Sequence, residues 1–285
     1  MARAATNSWD WEIGSKTSFW SHSLQELWNY RHLLAGLVRR HFLLNYQQTV
    51  LGPFWILFQP ILTLVTYLLV FTKLVGLSTG NVPPVLFYLA GIILWNFFND
   101  SFTNTSGTFK EHAHVFSKVY FPRIIMPVSV ICTQFLRFAL QFLLLIGVMA
   151  YYSLAGKFHL PTTYWLLTLP FIILNVGIFS LGLGLIFSVL TAKYRDMNNL
   201  VQLGVRLLMF LTPVIYPLAT ISANVRWVVQ LNPLTALFEL FRLSLLGEGS
   251  IAPAHLFYSS SFSFSLLAAA WLLFNKQGDK LIDIV

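Results

Sequence analysis

The chain has 285 residues, 56% of them hydrophobic and 10% charged, with net charge +8 and mean hydropathy +0.69. A water-soluble domain carries about 25% charged residues, so this much apolar surface exceeds what one soluble core could hide, and lipid must cover it. The basic residues are scattered between apolar runs rather than gathered on one face, which excludes a nucleic-acid surface and fits the positive-inside pattern.

Residues 1–20 hold Asp10, Glu12 and several tryptophans but no apolar core, so they do not read as a cleavable signal peptide. Residues 24–45 read as one amphipathic helix. Leu27, Tyr30, Leu33, Leu34, Leu37, Val38 and Leu44 recur at helical spacing, while His32, Arg39 and Arg40 point away. Such a basic helix lies in the membrane interface, the other reading being a short soluble helix packed on the protein body. Six spans of near 20 residues follow: Phe54–Val75, Val85–Thr105, Ile124–Tyr152, Tyr164–Thr191, Leu200–Tyr216 and His255–Phe274. Pro60 interrupts the first. Between Tyr216 and Gly249, prolines and glycines punctuate two apolar pieces, 225–231 and 234–246, each too short to span. They read as re-entrant or interfacial helices, or as a loop resting on the outer surface. Asn232-Pro233 suits a helix start, because Asn caps and Pro fits the first turn.

The expected fold is therefore an all-α integral membrane protein of six transmembrane helices. An amphipathic helix precedes them, and short re-entrant helices separate spans five and six. The expected segments are an N-terminal part, 1–53, a transmembrane domain, 54–275, and a tail, 276–285. Placing the N-terminus inside puts twelve Lys and Arg residues in the cytoplasm (Arg3, Lys16, Arg31, Arg39, Arg40, Lys110, Lys118, Arg123, Lys193, Arg195, Lys276 and Lys280). Four lie outside: Lys73, Lys157, Arg226 and Arg242. The bias makes both termini cytoplasmic.

No phosphate-gripping G-x-x-x-x-G-K-[ST] loop, H-E-x-x-H or clustered Cys/His set occurs, so neither a nucleotide site nor a metal site is expected. Cys132 is the one cysteine and lies in an apolar run, as a small buried thiol would. Gly182-Leu183-Gly184 inside the fourth span reads as a close-packing site. In the third span Gln134, Arg137 and Gln141 share a face. A charge there costs roughly 3 kcal/mol on insertion scales, so this face must meet protein or water. Asp100 and Glu239 are its available acidic partners. Gln59, Thr63 and Thr66 form a polar edge beside Tyr67 on the first span. On the second, Tyr88, Trp95, Phe98 and Phe102 share a face, with Asn99 beside Trp95. Rings serve the C–H face of a sugar and amides or hydroxyls serve its rim, so these residues are candidates for a carbohydrate path, with plain bundle packing the other reading. The basic loop from Phe109 to Arg123 ends in Lys118-Val119-Tyr120-Phe121-Pro122-Arg123, a pairing of rings and cations that suits a protein-binding anchor.

Taken in order, several stretches resemble the membrane permeases of ATP-binding-cassette exporters for polysaccharides. They are Gln48–Trp55 with Gln59-Pro60, Leu94–Phe98, Lys118–Arg123, Lys193–Asp196, Thr212–Pro217 and Leu231–Thr235 through Glu239 and Arg242. Asn45-Tyr46-Gln47 departs from the pattern, which often has basic residues around that tyrosine. The resemblance implies a homodimer in the cytoplasmic (inner) membrane, joined to a separate ATPase subunit that binds ATP and Mg, with no cofactor on this chain. It implies a lipid-linked glycan of O-antigen, teichoic acid or capsule type as cargo, a coupling loop at 106–123, and an exit-side segment at 217–249 containing Tyr216, Asn232, Pro233, Glu239 and Arg242. A permease for a small hydrophobic drug or lipid is the alternative, marked by a closed apolar pocket. A membrane-embedded transferase would need clustered acids or histidines at one face, and the sequence offers none.

Overall fold

The computed structural model describes residues 28–111, 121–159, 167–249 and 251–282. Every regular element among them is helical. Helix α1, Arg31–Leu44, keeps Arg39 and Arg40 exposed and buries Leu37, which packs with Phe121, Ile125 and Met126. A 3-10 turn at Gly52–Phe54 leads into α2, Trp55–Tyr67, which continues as a π-helical stretch, Leu68–Leu74. Next come α3, Pro84–Ser106, the short α4, Thr108–Glu111, α5, Ile125–Leu154, and α6, Leu169–Lys193. Then α7, Met197–Leu211, precedes the short α8, Ala223–Leu231, α9, Pro233–Leu246, and the long α10, Pro253–Ile282.

Helix α3 is the hub. It is buried along almost its whole length, with Leu86, Tyr88, Ile93, Leu94 and Phe98 enclosed, and α2, α5, α6, α7 and α9 pack around it. A helix apolar on every side belongs in the middle of a bundle, since no face prefers the boundary. Helix α6 packs chiefly against α10 and α3, and the glycine pair makes both approaches close. A methyl group at Gly184 would come within 2.5 Å of the Thr105 side chain on α3, and one at Gly182 within 3.1 Å of the Leu267 amide on α10. Small residues let membrane helices approach to backbone distance.

Five of the expected spans are helices long and apolar enough to cross a bilayer among the described residues: Gly52–Leu74, Pro84–Ser106, Ile125–Leu154, Leu169–Lys193 and Pro253–Lys276. The stretch expected as a span at Leu200–Tyr216 is different. Its helix stops at Leu211, 15 residues in all, and at 1.5 Å per residue it reaches roughly 22 Å, short of the ~30 Å hydrocarbon core. Pro213 cannot extend the ladder, and Thr212 caps the last turn by donating its Oγ1–H to the Leu208 carbonyl at 2.7 Å. The fourth span begins at Leu169 in the described residues rather than at Tyr164; Tyr164 itself lies outside them.

The bundle has two distinct ends. At one, Phe109, Ile124, Val189 and Phe274 form a cluster, with Phe109 stacked on Phe274 at 5.0 Å. At the other, the Asn81 amide donates to Glu248 at 2.7 Å, Thr168 and Ser244 share a hydrogen bond of 2.5 Å, and Ser259 donates to the Pro233 carbonyl at 2.5 Å. Helix α6 runs from the second end to the first, and α10 runs alongside it in the same direction.

Candidate functional site

Among the described residues, polar groups gather on the outward face of α2 and α7, in the cap built by Thr212–Leu246, and on the α5 face that meets α2 and α3. In α2, Ile56, Pro60 and Leu64 face the core while Phe58, Leu62 and Val65 are exposed. Between these stripes run Gln59, Thr63 and Thr66. Thr63 donates to the Gln59 carbonyl at 3.1 Å and Thr66 to the Leu62 carbonyl at 3.0 Å, which settles their hydroxyls within the helix. Helix α7 repeats the plan. Val201 and Val205 are buried, Leu200, Leu203, Leu207 and Phe210 are exposed, and Gln202 and Arg206 are exposed between them. The two helices meet where the Tyr67 hydroxyl lies 3.6 Å from the Met209 sulfur. Gln202 and Arg206 belong to this face and did not emerge from sequence motifs. The signal that reveals them is the strong one-sidedness of α7, which a lone crossing in lipid would not need.

The aromatic residues of the second span, candidates for the same path, are enclosed. Tyr88, Trp95, Phe98 and Phe102 are all inside the protomer, none more than 7% exposed. Trp95 packs on Phe98 at 5.3 Å and on Phe238 at 6.4 Å, Phe98 stacks with Phe179 at 5.7 Å, and Phe102 meets Phe187 edge-on at 5.5 Å. Their packing reading is the one this geometry follows, because α3 has no open face to offer. Asn99 is half-buried and donates to Asp100 at 2.8 Å.

The polar face of the third span meets protein. Pro60 lacks an amide hydrogen, so the Ile56 carbonyl four residues earlier loses its helical donor. The Gln141 side-chain amide supplies the missing bond at 3.1 Å, and Asn96 of α3 donates to the Gln141 carbonyl oxygen at 3.5 Å. Arg137 donates to Gln134 at 3.2 Å and lies over the Tyr46 ring at 5.3 Å. Asp100 is the acid within its electrostatic range. Glu239 is engaged elsewhere.

Glu239 lies 3.6 Å from Arg242, and both are almost fully buried. The Arg242 guanidinium donates to the Val214 carbonyl at 2.8 Å and the Tyr216 carbonyl at 3.4 Å, and it covers the Phe87 ring at 3.8 Å. Those carbonyls follow the break in α7 and have no helical partner, so one cation satisfies the irregular backbone that a membrane would otherwise penalise. Arg242 is therefore an internal clamp, not one of the loop cations counted toward the outer side. Asn232 caps α9 by accepting from the Leu234 amide at 3.1 Å and donates to Thr212 at 2.8 Å. Pro233 occupies the first turn of α9, and Tyr216 donates its hydroxyl to the Phe210 carbonyl at 2.7 Å. Tyr216, Asn232, Pro233, Glu239 and Arg242 thus gather around the irregular backbone that follows α7.

At the opposite end, the rings expected to anchor a partner point inward. Phe109 packs on α10, while Phe121 is 7% exposed beneath α1 with Pro122 also buried. Arg123 is half-buried; Lys118 and Tyr120 lie outside the described residues. Lys110 and Glu111 of α4 are exposed there, and burial of part of its carboxyl raises the Glu111 pKa despite neighbouring Lys110. A third feature, an apolar cleft of about 670 Å3, lies between α5 and α6, with Val38 of α1 and Phe97 of α3 also on its walls. Its walls include Cys132, Phe135 and Leu174. No group of His, Cys, Asp and Glu that could hold a metal occurs among the described residues.

A multi-pass helical membrane body, a polar strip on one open face and a clamped cap at one end define a membrane transport protein. The chain belongs to the ABC-2 type transporter family, whose model matches residues 32–246. It is 27% identical over 257 residues to an O-antigen export system permease protein RfbA of Klebsiella pneumoniae, covering 89% of this chain and 95% of that protein. It is 28% identical over 266 residues to the protein of the same name from Myxococcus xanthus, covering 92% and 98%. Similarity extends to the polysialic acid transport protein KpsM of Escherichia coli, 23% identical over 236 residues, covering 81% and 88%.

Proposed function

We propose that this chain is the permease of an exporter that moves a lipid-linked polysaccharide, of O-antigen, teichoic acid or capsule type, across the cytoplasmic membrane, driven by ATP hydrolysis in a separate subunit. The observation that carries the reading is the near end-to-end similarity to O-antigen export permeases. The polar strip of α2 and α7 supports it. Gln59, Thr63, Thr66, Gln202 and Arg206 sit on a face whose flanking residues are apolar and uncovered. A second copy placed against that face buries the apolar flanks and leaves the strip lining a shared path. A moving polymer needs many weak contacts, and exposed amides supply them.

In this reading both termini are cytoplasmic and the chain crosses the bilayer six times. The fifth crossing is made by α7 together with Thr212–Tyr216, completed by the α8–α9 cap, which enters from the outer side as a re-entrant pair. The segment 106–123 couples to the ATPase, whose nucleotide and Mg stay on that partner. Because Phe121 is seated under α1 and Phe109 on α10, these rings act as fixings. A push on the loop reaches α1 and α10 through them, while exposed charges meet the partner. The apolar cleft between α5 and α6 favours the alternative hydrophobic cargo, but it offers almost no polar group and lies away from the strip.

The test is deletion of the gene followed by analysis of surface polymers, with Tyr120→Ala and Phe121→Ala variants assayed for ATPase stimulation and export. A surface glycan should accumulate inside the deleted cell, and the double variant should lose at least tenfold in export while still co-purifying with the ATPase. Normal surface glycan after deletion would remove the proposal.

A further inference from the structure

The cap contains a groove that none of the roles above uses. Two contiguous cavities, about 350 and 320 Å3, open between α8, α9 and the first turns of α10 and share Gln230 and His255 as lining. The sum falls within the size range of small-molecule sites. Glu239 and Thr235 line the deeper part, and Trp227 and Tyr258 line the outer part.

The chemistry of the lining is specific. Trp227 is 61% exposed, and Tyr258 is held by its hydroxyl donating to the Leu231 carbonyl at 3.0 Å, so two ring surfaces stand at the mouth without rotating away together. The Gln230 amide and the His255 imidazole make no hydrogen bond among the described residues, and both face the shared space. An acyl chain there would strip water from these groups without replacing its hydrogen bonds. An anionic headgroup would meet the Glu239 carboxylate, while the nearby cations are committed. Arg242 is spent on Val214, Tyr216 and Glu239, and Arg226 on the Ala219 and Ile221 carbonyls. A neutral, hydroxyl-rich ring satisfies every term: its C–H face covers the aromatics and its hydroxyls pair with amide, imidazole and carboxylate.

We propose that this groove is a saccharide-binding subsite at the outer end of the protein. Trp227 and Tyr258 form its platform, and Gln230, His255 and Glu239 form its hydrogen-bonding wall. It rests on the glycan-export reading and adds to it a place where the emerging chain is held as it leaves.

The probe is a set of oligosaccharides released by mild acid from the host's own surface polysaccharide, titrated onto the full-length protein with its ATPase in lipid nanodiscs and followed by saturation-transfer NMR. The expected result is transfer to sugar ring protons and an affinity weakened on the order of tenfold in Trp227→Ala and in Gln230→Leu. Trp28→Ala, an exposed tryptophan far along the chain, should bind as the parent does. Absence of transfer to the parent protein, or unchanged affinity in both groove variants, overturns the subsite. Quenching of Trp227 by a spin-labelled phospholipid headgroup that sugar does not relieve also overturns it, since the groove then belongs to the bilayer. Export of the same polysaccharide is measured in parallel. Intact export without binding removes only the groove, whereas loss of both expectations removes the exporter reading too.

Discussion

Gln141 and Gly184 show how single positions carry this fold for opposite reasons. Gln141 exists to repair Pro60: its amide donates to the carbonyl that proline orphans, and its own oxygen is held by Asn96. Replacing it by leucine leaves a buried carbonyl unsatisfied, at a cost of about 1–3 kcal/mol. Gln141→Leu should therefore lower the thermal midpoint of the detergent-solubilised protein, and adding Pro60→Ala should restore most of the loss; an additive double variant would disprove the link. Gly184 acts by absence, since any side chain there meets Thr105. Gly184→Val should abolish folded protein in membranes, whereas Gly204→Ala, which meets nothing within 4 Å, should express normally. The glycine pair was legible in the sequence as a packing motif. The Gln141 repair was not, because its acceptor is a backbone atom 85 residues away and a sequence does not show which side chain will reach it.

Among the elements, α1 docks on α5 through Leu37 and carries one imidazole whose protonation bears on that docking. Burial of the His41 imidazole, with Arg40 beside it, lowers its pKa below the ordinary 6.5. The neutral ring thus favours the docked helix. That stabilisation is complete above pH 6.5 and is lost as the pH falls through the depressed value. Hydrogen exchange of the α1 amides, corrected for intrinsic rate, should be slower at about pH 7.5 than at about pH 5.5. His41→Gln should remove that difference and His32→Gln should keep it. Helix α7 teaches the complementary lesson. Its hydrophobic run extends to Tyr216 in sequence, but the helix ends at Leu211 because Pro213 and the Arg242 clamp favour an irregular, fully satisfied backbone. Apolar composition could not reveal this, since buried irregular chain and helix read alike.

At the scale of the whole molecule, the open face of α2 and α7 sets exposed polar groups between exposed apolar ones, and its use can be checked directly. Cysteines placed at Leu203 and Leu62 in a background lacking Cys132 should form an oxidative cross-link between copies in native membranes, with yield lost on dilution into detergent. Cysteines at Leu143 and Leu174, on other exposed faces, should stay monomeric. Monomer at all four positions would separate the strip from any shared path.

The amino-acid sequence by itself determined that this is a multi-pass helical membrane protein with an amphipathic first helix, a proline-marked cap and no nucleotide loop. Hydropathy and turn chemistry are local properties that a single chain displays in order. Only the tertiary structure decided which residues face outward. The rings of α3 read in sequence as either a path or bundle packing, and they form the hub. Phe121 was expected to be presented and instead lies under α1, and Arg242 looked like a surface cation and proved to be a clamp. Sidedness depends on which helices surround a given face, and that is settled by long-range packing that no local pattern records.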